Sequence, residues 1–350
     1  MSLDCHDGQC CSSASGNIHA VSTSLALKDI FAACKIRLGI GRMNYAIPTG
    51  LYAVGKPGDK SPVLVSANYK LTFDELRKNL DGLNAWLLIL DTNGVNVWCA
   101  AGKGTFGTEE LVKRIELAAL HDVVSHRELI LPQLGAAGIA AHEVKKRTGF
   151  SVIYGSVRAS DIQAFISEGN KATKRMRLVE FSLRDRLVLI PVEFLSAAKK
   201  TISVFGLMFF LNIFAKKPFT KHDILALIGA VLSGTVVTPL LLPYIPAKAF
   251  SFKGWLIGLG WTVGCIGLNK GFAKGFAKAN TMSSIGKLLL LPVLSAYHAL
   301  NFTGSSTYVS PSGVKKELKI ALPLMAVASA VGLILILTAH LFGGKLNEKT

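Results

Sequence analysis

No two cysteines of this chain stand in C-x-x-C spacing, and its six cysteines form no array that would hold an iron–sulfur cluster. Dithiol redox chemistry and a zinc knuckle are thereby excluded at the cysteine discussed below, Cys99. If the chain does one-electron chemistry, its electrons come from another protein. Nor do residues 1–17 read as a secretory leader. Residues 1–17 are small and polar, carry Asp4 and Asp7, and show no basic stretch followed by an apolar one. The first half of the chain is therefore expected in the cytoplasm, with reduced thiols. No nucleic-acid-binding motif accompanies the net charge of +17. Many of the lysines and arginines sit in short segments beside apolar spans, where they would meet lipid headgroups. No internal repeat of the transporter kind is present.

Half of the 350 residues are hydrophobic, and the length suits roughly two domains. The chain is organised around residues 85–103. Residues 85–90, Ala-Trp-Leu-Leu-Ile-Leu, form a continuous apolar run of the kind that makes a buried strand. Asp91-Thr92-Asn93-Gly94 is turn chemistry, since Asn and Gly accept positive φ. Asn96 is placed to cap a short helix, with Val97, Trp98 and Cys99 in its first turn and Gly102 as its stop. A thiol there meets the positive end of the helix dipole, which favours the thiolate, and Lys103 adds positive charge. A small buried cysteine in a helix is the plainer alternative. Gly102-Lys103 suggests a phosphate loop, but Val97 stands where that motif needs Gly, and Gly104 where it needs Ser or Thr.

Around this stretch the patterning alternates. Residues 51–54, 63–66, 85–90, 128–131 and 152–154 read as strands, and 122–125 as a short extended piece. Helices are expected from Thr72 to about Leu80, from Thr108 to about Leu120, and over 138–147 and 160–167. This implies α/β layering with an open sheet, whose ligands bind at the C-terminal ends of strands. The expected division is a mobile tail and lead-in over 1–44, the α/β domain over 45–170, a basic linker over 171–186 and a transmembrane domain over 187–350. Within the tail, Cys5, His6, Cys10 and Cys11 are either a soft-metal capture site or incidental thiols.

Five apolar spans follow, at about 188–214, 223–246, 252–270, 285–303 and 319–342, the third and fifth being the clearest. Charges between them do not settle orientation; with no leader read in residues 1–17, the C-terminus is expected outside. Cys265, His298 and Asn301 lie within spans, as functional polar groups or as interhelical packing.

Asn96-Val97-Trp98-Cys99-Ala100-Ala101-Gly102-Lys103 resembles the signature of the HgcA-type corrinoid proteins of microbial mercury methylation, at all eight positions. A second block, residues 301–308 through 313–317, resembles the membrane part of that family, and the α/β part is also similar to the cobalamin-binding domain of the corrinoid iron–sulfur protein large subunit. The resemblance implies a Rossmann-like corrinoid-binding α/β domain followed by an all-α transmembrane domain of five helices. It implies a corrinoid cofactor contacted by Asn96 through Lys103, with Cys99 as lower axial cobalt ligand and catalytic residue. Val97, Trp98, Ala100 and Ala101 would then hold the helix against the corrin's lower face; Trp98 also reads as a plain core anchor. The implied reaction is methyl transfer to Hg(II), giving methylmercury, at a multi-pass inner-membrane protein with its corrinoid domain in the cytoplasm. The implied partners are a methyl donor of the methyltetrahydrofolate type and a small ferredoxin-like protein with two [4Fe–4S] clusters. A thiolate opposite the methyl group would favour its departure to an electron-poor acceptor. A membrane-anchored corrinoid carrier of one-carbon metabolism, and a membrane protein that binds or transports a metal or corrinoid, are the alternatives.

Overall fold

The structure, a computed structural model, describes residues 18–42, 45–214, 219–268, 281–305 and 311–342. Cys5, His6, Cys10 and Cys11 lie outside the described residues. The chain divides into two compact units, with the boundary between Val179 and Glu180; residues 37–39 group with the second.

The first unit is a six-stranded sheet of order β1-β2-β4-β3-β5-β6. Its strands are β1 (His19–Val21), β2 (Gly50–Val54), β3 (Val63–Ala67), β4 (Ala85–Leu90), β5 (Glu128–Leu131) and β6 (Ser151–Tyr154). Strands β3 to β6 run parallel, whereas β2 pairs antiparallel with β4, so the sheet is mixed. Leu64, Leu87 and Ile89 pack on one face with Phe73, Leu76 and Phe165. Val63, Val65, Leu88 and Leu90 pack on the other with Val97, Ala100, Leu111 and Val144. The period-2 alternation of a strand thus feeds two apolar layers, which is why β4 has no polar position.

Helices α2 (Lys70–Lys78) and α7 (Ile162–Ser167) cover the first face. Helices α3 (Val97–Lys103), α4 (Thr108–Leu117) and α6 (Ala141–Thr148) cover the second. One expectation is corrected here. Residues 120–123 form a short helix, α5, rather than an extended piece; Asp122 N bonds to Ala119 O and Val124 N to Leu120 O. The lead-in also carries structure. Besides β1 it forms α1 (Leu27–Arg37), whose Asp29 pairs with Lys70 at 2.8 Å and with Arg77 at 2.8 Å on α2. That polar clasp crosses some forty residues of sequence, so no local pattern announces it.

The second unit is helical, and four of its helices are long and apolar enough to cross a membrane: Leu183–Asn212, Lys221–Leu241, Thr281–Asn301 and Ser312–Leu341. The expected third span, 252–270, corresponds to the helix Phe250–Leu268, in which Lys253, Trp255, Trp261 and several glycines lower the hydropathy; the last two residues of that span lie outside the described ones. Those glycines serve packing instead. A Cβ on Gly254 would lie 2.4 Å from the Ala299 Cβ, and one on Gly258 2.6 Å from the Ser295 Cβ, so this helix meets Thr281–Asn301 backbone to backbone. The Ser295 hydroxyl donates to the Gly254 carbonyl at 2.7 Å across the same seam. Phe209, Phe210, Leu324, Val327 and Ile334 are exposed, an apolar surface that suits lipid rather than water.

Candidate functional site

β3 leads through α2 on one face of the sheet to its neighbour β4, whereas β4 leads through α3 and α4 on the other face to β5, on the far side of β3. The connections leaving β3 and β4 therefore part to opposite faces, and the crevice between their C-terminal ends is the switch point where open α/β sheets bind ligands. The loop 91–96 and helix α3 rise from that crevice.

Asn68, directly after β3, builds the loop. Its buried Oδ1 accepts from the Thr92 N–H at 3.0 Å and from the Gly94 N–H at 3.0 Å. Its amide donates to Asp91 at 3.2 Å. Asn93 and Gly94 take φ values of 55° and 67°, the left-handed turn that their residue types permit. The Thr92 hydroxyl closes the loop on the Val95 carbonyl at 2.6 Å. Asn96 then caps α3, its Oδ1 accepting from the Cys99 N–H at 2.9 Å. The helix ends later than expected. Gly102 is helical, and Gly104, at φ 82°, forms the left-handed cap after Lys103.

The seven residues of α3 divide by face. Val97, Ala100 and Ala101 are buried in the core. Trp98 is 45% exposed, and Cys99, Gly102 and Lys103 are exposed with it. Val97, Ala100 and Ala101 fasten the helix to the sheet, and Trp98, exposed at the surface, is no core anchor. A Cβ added at Gly102 would meet nothing within 4 Å, so the ground beside the thiol is open. From behind, the loop after β5 closes on the helix. A Cβ on Gly138 would come within 2.1 Å of the Phe106 carbonyl oxygen and 3.1 Å of the Ala101 Cα. Only glycine allows that approach.

Sequence reasoning missed both Asn68 and Gly138. A polar residue directly after an apolar strand was the available signal for Asn68, and the small run Gly135-Ala136-Ala137-Gly138 for Gly138. Beside the helix, Asp91, Asn93, Gly104, Thr105, Glu109 and Arg147 line an open groove of about 430 Å³. The Arg147 guanidinium bonded to Glu109 holds that carboxyl below its ordinary value. Of the expected membrane positions, His298 is buried, Asn301 exposed and Cys265 half-buried. The structure does not bring them to a metal site: among the described residues no group of three or more His, Cys, Asp or Glu could hold a metal ion.

Cys99 is thus one soft, accessible donor on a rigid short helix. A bare metal ion needs several protein ligands. A single thiol suits a metal that arrives with its equatorial positions already filled by a macrocycle and lacks only an axial donor.

Residues 41–166 match the family model described as CO dehydrogenase/acetyl-CoA synthase delta subunit. The α/β part of the chain is similar to that family. It is 33% identical over 127 residues to an acetyl-CoA decarbonylase/synthase complex subunit gamma of Methanocaldococcus jannaschii, covering 36% of this chain and 26% of that one. The Methanopyrus kandleri subunit gamma is 33% identical over 124 residues, 35% of this chain and 26% of its own. The corrinoid/iron-sulfur protein large subunit of Moorella thermoacetica is 30% identical over 117 residues, 33% and 26% respectively. The chain spans about a quarter of the length of these curated relatives.

Proposed function

We propose that this chain is a membrane-associated corrinoid protein that transfers methyl to Hg(II), with Cys99 as the lower axial ligand of cobalt. The observation that carries the reading is the exposed thiol of Cys99 at the switch point, a lone donor suited to a macrocyclic metal. The similarity to a corrinoid/iron-sulfur protein supports the cofactor class. When bound, the corrinoid supplies a cobalt centre that accepts and releases a methyl group. The chain's own residues set the stage. Asn96 and Asn68 fix the helix so that the thiol stands at one position, and Val97, Ala100 and Ala101 keep it from yielding. Trp98, Gly102 and Lys103, exposed beside the thiol, would hold the macrocycle. A thiolate donates more electron density than an imidazole. With a corrinoid bound, a thiolate at Cys99 would favour release of the methyl group to an electron-poor acceptor.

The corresponding setting is the cytoplasmic membrane, with the α/β unit in the cytoplasm. A methyltetrahydrofolate-type compound gives the methyl group, and a small ferredoxin-like protein with two [4Fe–4S] clusters gives electrons. A second reading, a methyl carrier of one-carbon metabolism for which mercury is incidental, is favoured by the names of the relatives.

The test is methylmercury formation by cells or membranes carrying Cys99→Ala, Cys99→Thr or Cys99→His. Loss of activity in the first two, with the protein still present and folded, is expected; His, a neutral and longer ligand, should be poor. Wild-type rates in Cys99→Ala would refute the thiolate role. Wild-type protein that carries corrinoid and takes up methyl, yet makes no methylmercury, would favour the second reading.

A further inference from the structure

A second cavity opens at the far end of the same sheet edge, clear of Cys99. It measures about 350 Å³ and is lined by Gln133, Ile153, Tyr154, Asn170, Lys171, Ala172 and Arg177. Tyr154 is the last residue of β6, and Gln133 follows the end of β5, so the cavity lies at the C-terminal ends of these two strands. Its floor holds an anomaly. Gln133 Oε1 and Asn170 Oδ1 are sequestered from solvent and have no hydrogen-bond partner. A buried polar atom without a partner is costly, and folded proteins hold few. Two lining one cavity, on segments 37 residues apart in sequence, mark a place where hydrogen-bond donors are awaited. The Tyr154 hydroxyl does not serve, because it donates to the Ile139 carbonyl at 2.8 Å. At the rim, Lys171 and Arg177 are exposed, and neither forms an ion pair among the described residues. Donors are wanted inside and an anion at the mouth.

We infer that this cavity is a recognition site for a phosphate ester that also carries N–H or O–H donors, held by Lys171 and Arg177 at the phosphate and by Gln133 and Asn170 at the donors. Two sources share that chemistry. One is the nucleotide tail of a corrinoid, which rests on the function proposed above; the other is a free nucleotide. Geometry allows the first. β6 lies three strand spacings from β4, roughly 14 Å at about 4.8 Å each, a span that a tail hanging from a macrocycle at Cys99 can cover.

The experiment uses the full chain in detergent and equilibrium binding of three probes: cobalamin, which has the phosphodiester tail; cobinamide, which lacks it; and AMP. The variants are the exposed pair Lys171→Gln with Arg177→Gln, and Gln133→Met, each checked for native circular dichroism. Wild type is expected to bind cobalamin at least tenfold more tightly than cobinamide, the double variant to erase that difference, and Gln133→Met to weaken cobalamin binding. Equal affinity for the two corrinoids, with saturable AMP binding that the double variant abolishes, would keep the phosphate site and assign it to a free nucleotide. If neither corrinoid binds, the cofactor reading fails, and AMP alone decides the cavity by the same criterion. Variants that bind all three probes as wild type does, or that lose cobalamin and cobinamide equally, would overturn the inference.

Discussion

Cys99 offers its thiol from a helix whose position depends on a side chain one strand earlier in the sequence, Asn68, directly after β3. Its one oxygen satisfies two buried N–H groups, those of Thr92 and Gly94. Asn68→Ala should therefore cost about 2–4 kcal/mol, the sum of two orphaned donors partly relieved by water. Amide exchange across residues 92–103 should quicken with it, while Cys99 stays exposed. Exchange rates there equal to wild type would show that the loop stands without Asn68. The Asn96 cap and the left-handed Asn93-Gly94 turn were legible in the sequence because both are local chemistry. The outward turn of Trp98 was not. A seven-residue helix carries too few apolar positions to show which face the core takes, and here the core takes Val97, Ala100 and Ala101.

Among elements, the informative case is α1 against α2. Burial raises the Asp29 carboxyl, but the hydrogen bond and charge of Lys70, with the hydrogen bond of Arg77, outweigh it and hold Asp29 below its ordinary value. A carboxyl depressed in the folded state stabilises that state above its unfolded pKa, near 3.9, and the contribution is lost as pH falls through the lower folded value. Acidification through and below pH 4 should thus release α1 and β1 before the rest of the sheet, read as early loss of exchange protection over residues 19–37. Asp29→Asn should show that loss already at neutral pH. Uniform protection across the unit down to global acid unfolding would contradict the clasp. Strands β2 to β6 could be read from apolar runs and alternation, since burial on both faces writes itself into composition. α1 could not, because what holds it is a long-range ion network and not an apolar stripe.

For the whole molecule, the division between an α/β unit and a helical one was visible as a change from alternating short segments to long apolar spans. Its position was less so. Met176 is buried in the apolar layer of the first face, and its carbonyl accepts from the Val157 N–H at 2.8 Å, so the first unit runs to Val179. A fragment of residues 18–179 should be soluble and hold corrinoid, whereas one ending at Asn170 should lose about 2 kcal/mol through the missing Met176 side chain. Equal unfolding midpoints for the two fragments would show that residues 171–179 add nothing to the core. The seam between Phe250–Leu268 and Thr281–Asn301 is built from glycine, serine and alanine, which lower hydropathy while they tighten packing.

The central claim is that the Cys99 sulfur binds the metal of a macrocyclic cofactor. X-ray absorption at the cobalt edge of the corrinoid-loaded full chain tests it most directly. The account predicts one sulfur scatterer at bonding distance from cobalt in the wild-type protein, absent in a Cys99→Ala variant that still holds corrinoid. Identical spectra for the two proteins, with only nitrogen and oxygen around the metal, would contradict it.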